Sequence, residues 1–436
     1  MAAVVPYPLS PTELGLTPAG FRRRALAWAA GHRSCAYYAP TADFSGPGGP
    51  FVELLAVADA PAPAAPASLA ELEAWLAISA VAPRCGILSY DLKNELEALC
   101  SDHADHLGWP ALHFFQAESW LRWRADETVE FHGPPEALAT LLATADQPEP
   151  AENQLPGLVL RARLPRPDYL SAVRQVQDDI LNGEVYELTL CQEFYAENVA
   201  LDPVAAFWRL QAASPAPFAG FYKWGRRYLL GASPERFVRR AGDELLSQPI
   251  KGTIARGPTP LADRNAREQL RHDAKEQAEN LMIVDLVRND LARVARTGSV
   301  RVPELFGLYA FRHVWQLISS VTATARPGVG LAEVLRAAFP MGSMTGAPKI
   351  RAMQLIERYE RSRRGLYSGS LGVVWPTGDF DFNVVIRSAQ YRADTGYLSL
   401  QVGSAITYDA VAEREYEECL LKARGVLAAL GAVIEQ

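Results

Sequence analysis

The run ENLMIVDLVRNDLARV at 279–294 is the stretch that most limits what this chain can become. Its apolar residues fall on almost every side of a helix, and a helix apolar on most faces has to be buried. Only a large, layered fold can enclose one. Yet the run also holds Glu279, Asp285, Arg288, Asn289 and Asp290, and buried charges must be paired or bound to metal. Ion pairs inside the fold account for Asp285, Arg288 and Asp290. Glu279, at the polar start of the run, is left as a candidate metal ligand.

The 436 residues are enough for one large or two ordinary domains. Hydrophobic residues make up 49% and charged residues 21%, the balance of a globular protein rather than a disordered one. The formal net charge of -7 gives no reason to expect nucleic acid or an anionic membrane as partner. An anionic substrate would need local cations or a metal. Cys35, Cys85, Cys100, Cys191 and Cys419 are scattered and odd in number, which argues for a reducing compartment and against a disulfide framework. There is no leader-like amino terminus, and no apolar stretch of the roughly 18 residues that a membrane span needs. A cytoplasmic protein is expected.

Two Pro/Ala-rich breaks organise the chain. Residues 60–68 read as a loop with Ser68 capping a helix over 69–79, and 145–157 as a linker. The linker divides an amino-terminal part, 1–155, from a second part, 160–430. The first mixes short strands (Phe51 to Val57, Gly86 to Ser89, Leu112 to Phe115) with helices. The second opens with a helix over 168–182, a turn at Asn182-Gly183 and the strand VYELTLCQEF. A helix at 202–213 and strands near 218–223 and 227–231 follow. Further helices are expected over 273–296, 348–361 and 411–430, and a β-meander over 370–402. The fold class is α+β, with large, mostly antiparallel sheets flanked by helices.

Several constellations carry chemistry. Glu415, Glu418 and Lys422 share one face of the last helix. They are either a solvated acidic face or hard oxygen ligands offered to a divalent cation. GSMTGAPK (342–349) fails the phosphate-loop template, because Ala347 and Pro348 separate Gly346 from Lys349. It still leads small residues into a helix starting at Pro348, whose free N–H groups would suit an anion; a plain turn is equally consistent. In FDFNVVIRSAQY, alternation puts Phe382, Val384 and Ile386 opposite Asp381, Asn383, Val385 and Arg387. A mid-strand Arg387 can fork onto a carboxylate or pair with an internal acid. SPERF (233–237) and QPIKGT (248–253) set Glu235 and Lys251 in apolar, turn-rich surroundings. A desolvated Lys251 favours its amine form, as a nucleophile requires; an ordinary loop lysine is the alternative. Cys100, His103 and His106 have metal-like spacing in a polar, loop-like string, and GPGGP (46–50) reads as a loop.

In this order, SPERF, QPIKGT, ENLMIVDLVRNDL, FPMGSMTGAPKIRAMQLI, RGLYSGSLGVV, FNVVIRSA, VGSAIT and EREYEECLLKA closely resemble the chorismate-binding domain of the anthranilate synthase component I family. The resemblance covers about 165–427, and GILSYDLKNELE (86–97) extends it into the amino-terminal part. It implies a single large α/β sandwich with the active site between its sheets, and a Mg²⁺ ion holding a chorismate carboxylate, which would resolve the charge problem. Carried over by motif, Glu279, Glu415 and Glu418 would ligate the metal and Glu235 would act as general acid. Arg387 and Tyr367 would recognise a carboxylate, and Gly403, Thr345 and Gly346 would line the site.

One position separates the branches of the family. Aminodeoxychorismate synthases usually carry Lys in the PIxGT motif and anthranilate synthases Ala; here it is Lys251. The implied reaction is covalent. The Lys251 amine attacks C2 as the C4 hydroxyl leaves with help from Glu235; ammonia then adds at C4 and expels the lysine. The product would be 4-amino-4-deoxychorismate, on the route to 4-aminobenzoate and folate. No glutaminase motif is found, so ammonia would come from a separate glutamine amidotransferase subunit or from solution. Glu187 departs from the pattern: isochorismate and salicylate synthases have a water-activating Lys there, and aminating enzymes usually Gln. Gln316 stands where many members have His, with His313 three residues away. Anthranilate synthase component I, isochorismate synthase and a non-catalytic chorismate-binding subunit are the rival readings.

Overall fold

Strands in this chain alternate their side chains between two different cores. Along Ser34–Tyr38, Cys35 and Tyr37 join one cluster while Ala36 and Tyr38 join another; Leu55 and Val57 part from Leu54, Ala56 and Ala58 in the same way. This period of two is what a sheet buried on both faces requires. In a computed structural model that describes residues 6–40, 44–59, 66–149 and 157–435, the strands form two large sheets, of thirteen and nine strands. Pairing is antiparallel except where Ala432–Ile434 lies along Leu158–Ala162.

The sheets face each other across a core that takes Tyr38, Phe218 and Tyr222 from the larger sheet and Ile87, Phe115 and Leu371 from the smaller. Helices cover the outer faces. Arg166–Leu181, Pro203–Ala213 and Ala412–Leu430 pack on the thirteen-stranded sheet. Ala274–Ala292 and Leu331–Ala338 pack on the nine-stranded one. This is the α+β class expected, built as a helix–sheet–sheet–helix sandwich. Both sheets draw on both ends of the chain: Ser34–Tyr38 pairs with Phe218–Trp224, and Arg84–Leu88 with Ser370–Val374. Ser68 caps Leu69–Ala77, accepting from the Glu71 N–H at 3.3 Å. Residues 60–65 and 150–156, within the two Pro/Ala-rich segments, lie outside the described residues.

Three expectations are corrected. The long helix, capped by Asp273, buries one face only: Glu279, Asn280, Ile283, Val284, Val287, Asp290 and Leu291. Leu281 is exposed. Asp285 and Arg288 pair at 2.6 Å on the outer surface rather than inside, whereas Asp290 does meet Lys349 in the interior at 2.7 Å. Second, FDFNVVIRSAQY is not one strand. Phe380–Asn383 belongs to the smaller sheet and Ser388–Arg392 to the larger; the chain crosses between them at 384–387, and Arg387 takes a positive φ of 52° to do so. Third, Pro348 is the residue before the helix Lys349–Tyr359, not its first turn.

Arg364 ties these parts together. Buried to 2% exposure, its guanidinium donates to Glu360 at 2.6 and 3.0 Å, to Ser368 Oγ at 3.1 Å, and to the carbonyls of Met344 (2.7 Å) and Thr189 (3.1 Å). It thereby fixes the 342–348 loop against the strand Glu187–Ala196. Removing one partner of such a buried pair leaves the other charge uncompensated, at a cost of about 3–5 kcal/mol. Arg364→Met should lower the denaturation midpoint accordingly, while Asp285→Asn at the exposed pair should change stability by less than about 1 kcal/mol. Equal effects in chemical denaturation would contradict this assignment.

Candidate active site

A cleft opens between Thr189, Gln401 and Gly403 of the larger sheet and Ile250–Thr253 and Gln316 of the smaller. Its floor is made by two sheet-to-sheet crossings lying side by side. Ser233-Pro234-Glu235 carries the chain from the larger sheet into the smaller, and residues 384–387 carry it back. They are hydrogen-bonded to each other: Val384 N to Glu235 O at 3.0 Å, Ser233 Oγ to Val384 O at 2.5 Å, and Ala232 N to Arg387 O at 3.1 Å. Glu235 and Arg387 enter the cleft from these crossings.

Lys251 reaches it through a β-bulge. Ile250 opposes Ile318 and Thr253 opposes Gln316, so the register slips between them. Gly252 takes a φ of 100° there, in a spot where a Cβ would meet Leu317 at 2.8 Å; such a bulge re-aims a side chain. The Asn280 amide holds the Lys251 carbonyl at 3.1 Å and is itself held by Ser319 Oγ at 2.6 Å. Opposite stands Glu187, first residue of its strand. Gly346 and Ala347 pair with Leu188 and Glu187, and a Cβ on Gly346 would lie 2.1 Å from the Glu187 carbonyl. Glycine is therefore required for the loop to close on this strand.

The two outer helices complete the walls. Lys275, Glu276 and Glu279 come from one, and Glu415, Glu418 and Lys422 from the other. Three of the chain's six lysines thus line a single cleft, which concentrates positive charge locally in an acidic protein. Lys251 Nζ lies 2.5 Å from Glu187 Oε1, with side-chain exposures of 10% and 1%. Lys275 Nζ is 3.6 Å from both Glu279 Oε1 and Glu415 Oε1. Lys422 Nζ meets Glu418 at 2.6 Å and the Gly403 carbonyl at 2.9 Å. Ser404 donates to Glu415.

Burial and neighbouring charge divide the acids. Burial pushes Glu235 up to about 7, against donation from Ser343 Oγ at 2.7 Å. Burial, then the Glu279 and Glu418 charges, push Glu276 up to about 7. Glu279 and Glu415 are also raised, chiefly by burial. Glu418 is lowered, because Lys422 and the other lysines outweigh its burial. The expectation of a neutral Lys251 amine is corrected. Burial does pull it down, but the fields of Glu187 and Glu279, the Glu187 hydrogen bond and Glu418 together hold it above its ordinary value. In this structure the ammonium is the favoured form.

The resemblance implies a divalent cation, and the donors suit one. Among the described residues Glu279 Oε1 is buried without a hydrogen bond, and one ammonium already sits between the Glu279 and Glu415 carboxylates. All available ligands are hard oxygens, as Mg²⁺ prefers. Among the described residues no three acidic, His or Cys side chains are close enough to cage an ion as they stand. An ion between Glu279 and Glu415 would have to displace the Lys275 ammonium.

The cleft thus brings together Lys251, Glu235, Arg387, Tyr367, Gly403, Glu279, Glu415 and Glu418, with Glu187 reaching in through Lys251. Thr345 and Gly346 do not line it. Thr345 is fully buried, its hydroxyl bonded to the Met341 carbonyl at 3.0 Å; Ser343 and Met344 of the same loop line the cleft instead. Lys275 and Glu276 were missed, although Glu276–Glu279 repeats the i, i+3 spacing of Glu415–Glu418. Gln316 lines the cleft with its Oε1 unbonded among the described residues. His313 lies apart, on the Ala213 carbonyl at 3.0 Å. His103 bonds the Glu357 carbonyl at 3.0 Å and His106 stacks on Tyr397. The GPGGP carbonyls accept from Arg236 and Arg239.

The chain as a whole resembles known proteins. A sequence profile described as chorismate binding enzyme matches residues 50–428. Aminodeoxychorismate synthase component 1 of Escherichia coli is 40% identical over 267 residues, 61% of this chain and 58% of that protein. Anthranilate synthase component 1 2 of Haloarcula marismortui is 40% identical over 270 residues, 61% of this chain and 50% of that protein. The matched stretch thus spans only half to three-fifths of these two relatives. The crystal structure of anthranilate synthase component I from Streptococcus pneumoniae superposes with a TM-score of 0.70 at 30% identity, covering 79% of this chain and 80% of that one.

Ser343 offers a direct check on the acid. Its hydroxyl favours the ionised form of Glu235, so Ser343→Ala should raise the Glu235 pKa further, above about 7. Against its unperturbed 4.5, the folded protein retains this proton where the unfolded chain releases it, so folding loses stability as pH rises through that interval. The variant should therefore lose more stability than the wild type between pH 5 and 8. Carboxyl ¹³C NMR reads the titration itself; a midpoint unmoved or lowered would contradict the assigned hydrogen bond.

Proposed function

This chain belongs to the chorismate-binding enzyme family, and we propose that it is the aminating component of an aminodeoxychorismate synthase, forming 4-amino-4-deoxychorismate from chorismate and ammonia. The observation that carries the reading is Lys251, projected by its bulge into the cleft that Glu235 also lines. A primary amine there can serve as nucleophile, and a carboxyl held protonated up to about pH 7 can serve as general acid.

Chorismate enters between the sheets. Arg387 and Tyr367 take one carboxylate, the guanidinium offering a planar fork. Glu279, Glu415 and Glu418 would hold a Mg²⁺ ion, which would supply the positive charge that the other carboxylate needs. Lys251 Nζ forms a bond to C2, the ring double bonds shift, and the C4–O bond breaks as Glu235 protonates the departing hydroxyl to water. Ammonia then bonds to C4, the double bonds shift back, and the C2–N bond breaks to release lysine. Net exchange is hydroxyl for amine at C4. A separate glutamine amidotransferase provides the ammonia in the cell. Among the described residues no helix is long and apolar enough to cross a membrane.

Incubation with chorismate, Mg²⁺ and ammonium, followed by product identification with and without a lyase that releases 4-aminobenzoate, tests the reading. 4-Amino-4-deoxychorismate is expected. Anthranilate, the product of the equally similar haloarchaeal relative's class, would overturn the branch assignment and leave the family intact. Turnover should appear with ammonium at high pH, because NH₃ is the nucleophile, and should be absent with glutamine until a glutaminase is added. Glutamine-dependent turnover by the single chain would contradict the partner. Glu418→Gln should raise the Mg²⁺ concentration for half-maximal rate by about tenfold or more, the loss of one charged ligand being worth 1.4 kcal/mol or more; an unchanged Mg²⁺ titration would remove Glu418 from the metal site.

A further inference from the structure

The covalent step asks for a free amine, and the structure holds an ammonium. Among the described residues Lys251 Nζ has one hydrogen-bond acceptor, Glu187 Oε1, at 2.5 Å. Other charged groups face it from every side: Glu279 and Lys275 from the helix Ala274–Ala292, Glu418 and Lys422 from Ala412–Leu430, and Glu235 from the crossing at 233–235. None of these pairs with Lys251 within 4 Å. Glu187 is 1% exposed, its second oxygen is buried without a partner among the described residues, and the tight pairing of Gly346–Ala347 fixes the strand end that carries it. The carboxylate is therefore aimed at a single donor.

We infer that Glu187 is the acid–base partner of Lys251, taking the proton that the lysine sheds before attack and returning it when the lysine is expelled. The inference rests on the covalent reading above. Transfer along the hydrogen bond turns ammonium and carboxylate into amine and carboxylic acid, with no change in net charge and no need for solvent. As substrate displaces water, the desolvation that opposes a buried ion pair acts on both charges and favours the neutral pair. The amine then attacks C2 with its lone pair and becomes a secondary ammonium, while the C4 hydroxyl departs as water with the Glu235 proton. After ammonia adds at C4, the C2–N electrons return to nitrogen and leave neutral lysine. The Glu187 proton moves back to restore the resting pair, and the new C4 ammonium or solvent reprotonates Glu235.

The test is the rate at which the lysine adduct forms on chorismate without ammonia, followed by intact-protein mass from pH 6.5 to 8.5. Glu187→Gln keeps the shape of the side chain and removes the proton acceptor, so only lysine already deprotonated by solvent can attack. Taking the ratio of variant to wild-type rate cancels titrations common to both, such as Glu235. For Glu187→Gln the ratio should rise about tenfold per pH unit, since the free-amine fraction grows by that factor below its pKa. For Glu187→Asp, which keeps a carboxylate, it should stay flat within about twofold. Circular dichroism verifies folding of both variants. A flat ratio for Glu187→Gln overturns the inference while leaving the covalent reading in place. A wild type that forms product but never an adduct overturns the covalent reading, and the inference with it.

Discussion

A lysine ammonium from one sheet and a glutamate carboxylate from the other meet at 2.5 Å, almost out of reach of water. Neither charge could be buried there alone, because an unpaired ion in such a site costs several kcal/mol. The surrounding architecture reads as the set of constraints that makes the meeting possible. The bulge at Lys251–Gly252 turns the lysine inward. Gly346 lets the 342–348 loop close on the strand that begins at Glu187, and Arg364 anchors that loop from behind through the Met344 carbonyl.

The same cleft concentrates cationic groups in a chain of net charge -7. Lys251, Lys275, Lys422 and Arg387 converge where the carboxylates of Glu187, Glu279, Glu415 and Glu418 also gather. The result is a nearly balanced, desolvated cluster rather than a basic surface. Its acids are driven apart by environment: Glu235 and Glu276 are pushed up to about 7, while Glu418 is drawn down by Lys422. Such divergence among neighbouring carboxyls is how one site holds proton donors and permanent anions together. Placing two of the chemical groups at sheet crossings has a further consequence. Glu235 and Arg387 sit where the backbone leaves one ladder for another, so their positions are set by hydrogen bonds between the crossings and not by a single sheet.

Much of this was legible beforehand. The motifs from SPERF to EREYEECLLKA point to the fold class and to the residues that converge in the cleft, because each motif is contiguous and carries its own charged group. What alternation could not reveal was the exchange between sheets. Apolar residues keep a period of two from Phe380 through Ile386, and a strand that changes sheets looks the same in one dimension as a strand that does not. The long helix was over-read for a related reason: Leu281 and its neighbours suggest burial all round, yet only one stripe is enclosed. Lysine protonation was misjudged because desolvation can be inferred from the neighbouring Ile250 and Gly252, whereas the opposing carboxylates lie on Glu187, Glu279 and Glu418, far along the chain. Lys275 and Glu276 went unnoticed because a charged first turn of a helix is ordinary surface chemistry until the fold folds it into a wall.

The cleft's chemistry turns on the state of one ammonium, and that can be observed. The chain has only six lysines, so selective ¹³Cε labelling yields a spectrum of six signals, in which Lys251→Ala identifies the one of interest. Followed against pH in the resting protein, the Lys251 signal should keep its protonated shift beyond pH 10.5, where an unperturbed lysine is half titrated, and should titrate earlier once Glu187 is changed to Gln. A wild-type Lys251 that is half titrated at or below pH 10.5, or one indifferent to Glu187, would contradict the ion pair on which the account depends.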